Sequence, residues 1–412
     1  MKSVHSFARV TATVCVGALL ASCSLFNGPS ERKVAAPPPP VTPEVPLPVP
    51  THKFEITPDR DIVGVLQVTK STKEDTLSDI ARRFNVGYEE IVRANPGVDP
   101  WLPGADREIV IPSQFILPNA PREGIVINVP QMRLFYYPKA KKDEPQLVYT
   151  FPIGIGRVGW ATPQGTTKIV RRQKDPTWRP TASIIKEHRE NGEELERVIG
   201  PGPDNPLGRY AFYLAWPSYM IHGTNKPAGV GLRSSHGCIR LYPEDIELLF
   251  NMASIGTKVT VINEPFMFGW QNDQLYLQAF DVLEDDTRDW KKAQKKLVSK
   301  SLGADIQKEL KKRKEEMNWD LVATVAHTPR GIPVSISGGE TVEQLVASAT
   351  HVQNTVPQGA SWDGKTDLPV DEQTFRSMLS DRDPQASSAT GGSAPPPAST
   401  PATGTPPSKT GT

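Results

Sequence analysis

The chain is poor in cysteine and has no excess of either charge. Three of its 412 residues are cysteine, and 47 Lys and Arg residues balance 46 Asp and Glu residues. A net charge of +1 offers no broad positive surface, so no nucleic acid is expected as a partner. The apolar run near the N-terminus, from Val10 to Leu20, is too short to span a bilayer.

Residues 1–22 have the features of a secretory signal peptide, with two basic residues before the apolar run. The segment runs into L-A-S-C, ending at Cys23, which resembles the lipobox of bacterial lipoproteins. That resemblance implies that Cys15 is removed with the signal and that Cys23 becomes the acylated N-terminus. Cys238 is then the only thiol of the mature protein and has no partner for an intramolecular disulfide. This favours a catalytic Cys238 over a small buried cysteine that only packs.

Proline marks the segments that are not expected to form a domain. Many of the 41 prolines lie in Pro37–Pro50 and Pro395–Pro407, which favours an extended spacer near the start and a disordered tail at the end. The predicted organisation is a signal peptide (1–22), a lipidated Cys and Pro-rich spacer (23–60), a small α/β module (61–113), a strand-rich domain (122–263), a C-terminal extension of unknown role (270–355) and a disordered tail (356–412).

The module at 61–113 is predicted from helical periodicity. Leu77, Ile80, Ala81 and Phe84 fall at i, i+3, i+4 and i+7 of one helix, which follows a strand over Ile62–Val68. A second helix (Tyr88–Ala94) and a strand (Glu108–Ile111) complete the unit. With D-T-L-S-D-I-A-R-R-F and R-A-N-P-G it resembles a LysM module, a family that binds N-acetylglucosamine polymers. The loop before the first helix is longer than usual and lacks glycine, so glycan binding and a structural role remain alternatives.

Residues 122–263 contain many short β-branched and aromatic runs divided by Pro, Gly and Asn. Such runs without intervening helices favour a mainly β fold, a sandwich or barrel. One clear helix is predicted, Pro243–Ala253. Gly154–Gly159 fits G-x-G-x-x-G, but Pro163 and Gly165 stand where a dinucleotide-binding helix must begin, which argues against that function.

The extension after Pro265 gives weaker signals. They predict a strand over Gln274–Val282, an amphipathic helical pair over Asp286–Met317 broken near Gly303, and a small β-α appendage over Trp319–His351. The extension is therefore expected to be mixed or helical. Its lysines are typical of a solvated helix face, and contact with an anionic glycan is the alternative.

The stretch from Ile221 to Leu241 carries the chemistry. It places H-G-T at His222 and S-H-G-C around Cys238. A thiol with a pKa of about 8.5 is mostly protonated at neutral pH, and an imidazole within reach makes it a usable nucleophile. A glycine turn lets backbone N–H groups point at a developing oxyanion. The pattern predicts acyl transfer.

H-G-T followed by S-H-G-C-I-R-L resembles the signature of the L,D-transpeptidase (YkuD) family, and the chain from Ile62 to Pro265 resembles its subgroup with an N-terminal degenerate LysM module. The resemblance implies no cofactor and a thiolate that cleaves the diaminopimelate-D-Ala bond of a peptidoglycan tetrapeptide stem. A thioester forms, and an amine then takes the acyl group. The acceptor is the lysine of an outer-membrane lipoprotein or another diaminopimelate; water would give a carboxypeptidase or a hydrolase of the lipoprotein link.

The same resemblance implies roles for individual residues. Cys238 is the nucleophile, and His222 is the base oriented by the carbonyl of Gly223; spacing alone leaves His236 as an alternative base. The N–H groups of Gly237 and Cys238 are the expected oxyanion donors. Arg240 is placed to meet a stem carboxylate. The full expected substrate-binding set is Arg240, Ser235, Ser234, Arg233 and Thr224.

Two other functions are alternatives to acyl transfer. His222, His236 and Cys238 are competent zinc ligands, but their spacing matches no common zinc site, so no metal is expected. A non-catalytic anchor would join membrane to wall through lipid, spacer and module, yet it would have no use for a lone thiol. The lipid predicts a periplasmic protein held at a membrane, and Ser24 after the lipidated Cys favours the outer one.

Overall fold

A computed structural model describes residues 50–57, 60–288, 301–313 and 316–355. The predicted signal peptide, Cys23, most of the spacer and the predicted disordered tail lie outside these residues. Within the described ranges, no helix combines the length and the apolar character needed to cross a membrane. All described residues belong to one compact unit.

Short strands joined by tight turns dominate, with a few short helices. The strands are β1 (His52–Ile56), β2 (Ile62–Gly64), β3 (Gln67–Lys70), β4 (Glu108–Ile111), β5 (Gln114–Ile116), β6 (Gly124–Asn128), β7 (Arg133–Tyr137), β8 (Gln146–Pro152), β9 (Ile155–Gly156), β10 (Gly165–Lys174), β11 (Tyr210–Leu214), β12 (Met220–His222), β13 (Arg233–Ser235), β14 (Ile239–Arg240), β15 (Lys258–Ile262), β16 (Phe266–Gln271), β17 (Gln274–Ala279), β18 (Val334–Ser335) and β19 (Thr350–His351). The helices are α1 (Leu77–Arg83), α2 (Tyr88–Ala94), α3 (Ala182–Glu190), α4 (Pro243–Met252), α5 (Gly303–Arg313), α6 (Trp319–His327) and α7 (Val342–Ala347).

The largest sheet of the described residues has nine strands, in the order β1-β8-β7-β6-β15-β10-β11-β12-β14. Most neighbours are antiparallel, but β15 is parallel to β6 and β12 is parallel to β14. Alternate residues of β6 enter different cores, with Ile125 and Ile127 on one face and Val126 on the other. Both faces of the sheet are therefore covered, and the predicted mainly β fold is confirmed.

The predicted helix Pro243–Ala253 is present as α4, and its Ile246 and Leu249 pack into the main core. Pro243 stands at the first helical position, where its missing N–H costs no hydrogen bond. The sequence pattern does not predict the second helix of this domain, α3. Ile184 is the one buried residue of α3, so the helix has no apolar stripe to detect.

The predicted spacer is wrong at its C-terminal end. His52–Ile56 forms β1, an edge strand of the large sheet, in antiparallel register with β8 from His52↔Thr150 to Ile56↔Gln146. Only the two end residues of β1 are buried. The strand has only five residues, shows little alternation of buried and exposed side chains, and lies next to a proline-rich segment. The sequence pattern therefore does not predict it.

The single strand predicted over Ile62–Val68 is two strands, β2 and β3. Gly64 has a φ of +77°, and a Cβ at this position would lie 2.1 Å from the carbonyl oxygen of Ser113. The chain therefore turns at Gly64, so that β2 pairs with β5 and β3 pairs with β4.

The order β3-α1-α2-β4 agrees with the predicted strand-helix-helix-strand module. Leu77, Ile80 and Ala81 of α1 form its core with Ile91 of α2. Thr76 caps α1 by accepting a hydrogen bond from the backbone N–H of Asp79, at 3.1 Å.

This module packs on the loop that joins β12 to β13. At the start of α2, the backbone N–H groups of Tyr88 and Glu89 donate to the carbonyls of Val230 (3.3 Å) and Gly231 (3.1 Å). Gly231 has a φ of +81°, and a Cβ there would lie 2.1 Å from the Tyr88 nitrogen. The close approach requires glycine and ties the module to the loop that leads to the S-H-G-C turn.

The C-terminal extension forms a three-stranded sheet, β16-β17-β18, covered by α6. The strand predicted over Gln274–Val282 is β17, which ends at Ala279, and β16 precedes it without having been predicted. Gly303 begins α5 directly after a turn at Leu302, and residue 301 is helical, so the predicted break near Gly303 is confirmed; the first predicted helix falls largely on residues 289–300, outside the described residues. The last strand, β19, pairs with β3 of the small module.

Candidate active site

Strand register brings His222, Cys238 and Arg240 to one face of the sheet. In the parallel pair β12 and β14, Ile221 lies opposite Ile239 and His222 opposite Arg240. Both isoleucines are buried in the main core. Because side chains alternate along a strand, His222 and Arg240 lie on the other face, and Cys238, two residues before Arg240, falls on that face too.

His222 is buried, and its Nδ1 lies 2.6 Å from the carbonyl oxygen of Gly223. A carbonyl only accepts, so Nδ1 carries the proton and Nε2 has a free lone pair. Burial, aided by the charge of Arg240, lowers the pKa of His222 to about 3. The imidazole is therefore neutral at physiological pH and can accept a proton.

Cys238 is a free, partly buried thiol. Burial raises the pKa of this thiol, against the opposing effects of a backbone hydrogen bond from Met220 and of the Arg240 charge. The thiol donates to the carbonyl of Ser218, with Sγ 3.6 Å from the oxygen. The resting nucleophile is protonated, so attack on a carbonyl requires a base.

Ser235 holds the S-H-G-C turn together from inside. Its Oγ donates to the Cys238 carbonyl at 2.6 Å and accepts from the Gly237 N–H at 3.1 Å. In this arrangement Ser235 already uses the Gly237 N–H, so the expected role of that group as an oxyanion donor stays a prediction. Ser235, expected to bind substrate, is buried and fixes the turn.

The glycine-rich run Gly154–Gly159 supports the same turn. Thr162, just after this run, donates through Oγ1 to the Gly237 carbonyl at 3.1 Å and accepts from the Gly156 N–H at 3.1 Å. A Cβ on Gly156 would lie 1.9 Å from the Trp160 carbonyl oxygen and 3.0 Å from the Gly237 Cα. The glycines thus permit close backbone contact at the catalytic turn, and Thr162 is a supporting residue that sequence reasoning missed.

His236 is held on its outer side by an ion pair. Its Nε2 lies 2.8 Å from Oε2 of Glu187, on α3, and 3.2 Å from Nη2 of Arg157. Arg157 also binds the Glu187 carboxylate, and these two bonds lower the pKa of Glu187 to about 2. The ring edge of His236 packs on Trp160, with centroids 4.8 Å apart. His236 is therefore anchored to α3, which leaves His222 as the histidine without an acidic partner.

The predicted substrate-binding residues divide into two groups. Arg240 donates to Ser234 Oγ at 3.1 Å, and both side chains are at least partly exposed beside the nucleophile. Arg233 instead makes a bidentate pair with Asp285 of the C-terminal extension, at 2.8 Å to each oxygen. Thr224 is buried, and its Oγ1 accepts from the Lys226 N–H at 2.9 Å. Both Arg233 and Thr224 stabilise local structure in this arrangement, and their expected substrate binding stays a prediction.

Among the residues that the structure describes, no group of three or more His, Cys, Asp or Glu side chains is arranged to hold a metal ion. The oriented imidazole, the thiol and the guanidinium of Arg240 make an arrangement suited to nucleophilic acyl chemistry.

Comparison with known proteins assigns the chain to a family. Residues 122–261 match the L,D-transpeptidase catalytic domain family (YkuD), and residues 72–112 match the LysM domain family. The chain is 38% identical over 267 residues to the probable L,D-transpeptidase ErfK/SrfK of Escherichia coli K12, covering 64% of this chain and 83% of that protein. The chain belongs to the L,D-transpeptidase family.

Another relative within the L,D-transpeptidase family is the probable L,D-transpeptidase YcfS of Escherichia coli K12. Identity is 46% over 194 residues, which is 46% of this chain and 59% of that protein, less than two thirds of its length. The NMR structure of the catalytic domain from an E. faecium L,D-transpeptidase is 21% identical, covers 35% of this chain and 100% of that chain, and has a TM-score of 0.27. At that score the structural likeness adds nothing to the assignment.

Proposed function

We propose that this L,D-transpeptidase family member is a cysteine acyltransferase acting on peptidoglycan tetrapeptide stems, with Cys238 as nucleophile and His222 as general base. The observation that carries the proposal is the pairing of β12 with β14. It sets a protonated thiol on the same face as a neutral imidazole whose Nδ1 is bound to the Gly223 carbonyl. The matched LysM and L,D-transpeptidase families both associate the chain with peptidoglycan.

The reaction proceeds in two halves. His222 Nε2 takes the proton of the Cys238 thiol while sulfur attacks the carbonyl carbon at the L-centre of diaminopimelate. The tetrahedral intermediate collapses as its C–N bond breaks, and His222 returns the proton to the departing D-alanine amine. An acceptor amine then attacks the thioester, gives a proton to His222 and releases the thiol. Because Ser235 occupies the Gly237 N–H, we assign the oxyanion to the Cys238 N–H.

The product spectrum of the purified chain on disaccharide-tetrapeptides tests this function. The reactions are run with and without a lysine-terminated acceptor peptide and analysed by mass spectrometry. Wild type should release D-alanine and form a new amide, and Cys238→Ala should form none while still binding murein. Product formation by the variant would refute Cys238 as the nucleophile, and no product from wild type alongside normal murein binding would leave the anchor function instead.

The same products identify the acceptor. A peptide-linked stem identifies a transferase for a lipoprotein lysine, and stem-stem dimers identify cross-linking through two diaminopimelate residues. Tripeptide stems alone indicate that water is the acceptor, in a carboxypeptidase or in a hydrolase of the lipoprotein link.

We also propose that the protein works in the periplasm, anchored through lipid on Cys23, with the outer membrane favoured by Ser24. The lipobox-like L-A-S-C sequence supports this proposal. Cys23→Ala should release the protein into the soluble fraction; unchanged membrane fractionation of the variant would refute lipidation at this residue.

For the LysM module we propose a structural role. Support comes from its backbone bonds to Val230 and Gly231, which tie it to the loop before the catalytic turn. Binding of N-acetylglucosamine oligomers by the intact chain, measured calorimetrically, separates the alternatives. Glycan binding that leaves the reactivity of Cys238 unchanged would favour a recognition module over this role.

A further inference from the structure

The connection between β11 and β12 is a tight turn with a strained residue. In Trp216-Pro217-Ser218-Tyr219, the Tyr219 N–H donates to the Trp216 carbonyl at 3.3 Å, and Ser218 has a φ of +68°. Proline at the second position and a positive φ at the third are typical of a type II turn, whose third residue is usually Gly or Asn. A left-handed conformation is disfavoured for serine, and such strain clusters where the backbone holds a functional group.

The strained residue holds the nucleophile. The Ser218 carbonyl accepts from the Cys238 thiol, with 3.6 Å between oxygen and sulfur. The backbone N–H of Met220 favours the thiolate and lowers the pKa of the thiol. Strand register explains this effect, because Ile221 pairs with Ile239 and Met220 therefore lies opposite Cys238. One turn thus presents an acceptor suited to the thiol and a donor suited to the thiolate.

The same turn packs against the catalytic turn. A Cβ on Gly237, which has a φ of +98°, would lie 2.7 Å from Cε1 of Tyr219. The Tyr219 ring also packs edge-on against Trp216, with centroids 6.4 Å apart. The two turns therefore fit only when residue 237 is glycine, and a shift of one would displace the other.

We propose that Ser218 is a positioning residue whose carbonyl fixes the Cys238 thiol until the base removes its proton, after which the Met220 N–H holds the thiolate. The proposal rests on the nucleophilic role proposed for Cys238. Titratable groups that face the sulfur from the neighbouring strands are His222 and Arg240. His236, in the catalytic turn itself, is bound to Glu187 and Arg157.

The pH dependence of Cys238 alkylation by iodoacetamide tests the proposal in the intact chain. Ser218→Val places a β-branched side chain where φ is positive, so the carbonyl should move away while Met220, in β12, stays. Loss of an acceptor that favours the neutral thiol should lower its pKa by up to about one pH unit. Despite the more acidic thiol, kcat on stems should fall about tenfold with KM unchanged, because the sulfur is no longer held in line with the substrate carbonyl.

Ser218→Gly is the matched variant, since glycine adopts the positive φ without strain and keeps the carbonyl in place. This variant should keep the wild-type alkylation profile and the wild-type kcat. A valine variant with the wild-type profile and kcat would overturn the proposal.

The infrared S–H stretch gives a second measurement that needs no change in the turn. The spectrum of wild type minus that of Cys238→Ser should show a band at lower frequency than in the unfolded chain. A band at the frequency of the unfolded chain would refute the hydrogen bond. Neither alkylation nor infrared spectroscopy requires substrate. Absence of transfer products would therefore refute the proposed function but not the positioning role. A free-thiol band in an active enzyme would refute only the positioning role of Ser218.

Discussion

Arg133→Met should destabilise the protein strongly, because Arg133 is a fully buried cation between the catalytic sheet and the LysM module. Its guanidinium donates to both carboxylate oxygens of Glu90 (2.7 and 3.2 Å), to the Asn85 carbonyl (3.1 Å) and to Thr150 Oγ1 (3.2 Å). It also lies 4.0 Å from the ring centroid of Phe115. Methionine fills similar space but leaves the Glu90 carboxylate without its counter-ion.

The expected loss is about 3–5 kcal/mol, the cost of leaving one partner of a buried pair uncompensated. At about 2–4 °C per kcal/mol, the melting temperature should fall by roughly 6–20 °C. Lys258→Met is the matched control, since its pair with Glu123 is as short (2.7 Å) but both side chains are well exposed. Such a surface pair is worth about 0.2–1 kcal/mol.

Differential scanning calorimetry and urea unfolding measure both variants. Adding Glu90→Leu to Arg133→Met should recover part of the loss, because no unpaired charge remains, although the bond from the Gly87 N–H to Glu90 is lost as well. If Arg133→Met proved no more destabilising than Lys258→Met, the assignment of this ion pair as the buried link to the module would be refuted.

Three further predictions concern titration and the neighbours of the catalytic turn. Acidification from pH 7 to pH 4 should lower the melting temperature, because burial lowers the pKa of His222 and His52 to about 3 while the unfolded chain takes up these protons near pH 6.5. Their stabilisation is complete above pH 6.5 and is lost towards pH 3 by about 1.4 kcal/mol per pH unit for each group; His52→Asn should flatten this slope, and an identical slope would contradict the prediction. Arg240→Met should slow alkylation of the nucleophile at pH 7, because the Arg240 charge lowers the pKa of that thiol, whereas Arg240→Lys should stay near wild type; equal rates in all three proteins would exclude the charge effect. Glu187→Gln should reduce kcat about tenfold by releasing His236, and a variant with wild-type kcat would show that this contact does not support the turn.

The parts of the site that sequence could predict lie within one short segment. His222, Gly223 and Cys238 are 16 positions apart at most, and their chemistry is recognisable from residue type. The first LysM helix could be predicted from the sequence equally well, because Leu77, Ile80 and Ala81 repeat with helical spacing and are buried together. Local pattern and tertiary packing agree at these positions.

The parts that sequence could not predict depend on contacts between distant segments. Arg233 appears free for a substrate until Asp285, 52 residues away, is seen to bind it. Thr162 is 75 residues from the Gly237 carbonyl that it supports, and no residue type marks it for that role. Glu187 lies on a helix with almost no buried face, so no sequence pattern predicts the helix or its contact with His236.

The bond from the Gly237 N–H to Ser235 was not predicted for a different reason. Its acceptor, Ser235 Oγ, is only two residues away. The choice between an inward-facing serine that braces a turn and an outward-facing one that binds substrate is made by side-chain orientation, which residue order does not determine. Burial of Ser235 in the folded protein decides it.

Trapping of an acyl-enzyme tests the proposed chemistry most directly. The purified chain is mixed with a disaccharide-tetrapeptide lacking any acceptor amine, quenched in acid within one turnover, and analysed by intact-protein mass spectrometry and peptide mapping. We predict a mass increase equal to the stem without its terminal D-alanine, located on Cys238, sensitive to hydroxylamine and absent from Cys238→Ser. An adduct on another residue, or D-alanine release without any dependence on Cys238, would contradict nucleophilic catalysis by this thiol.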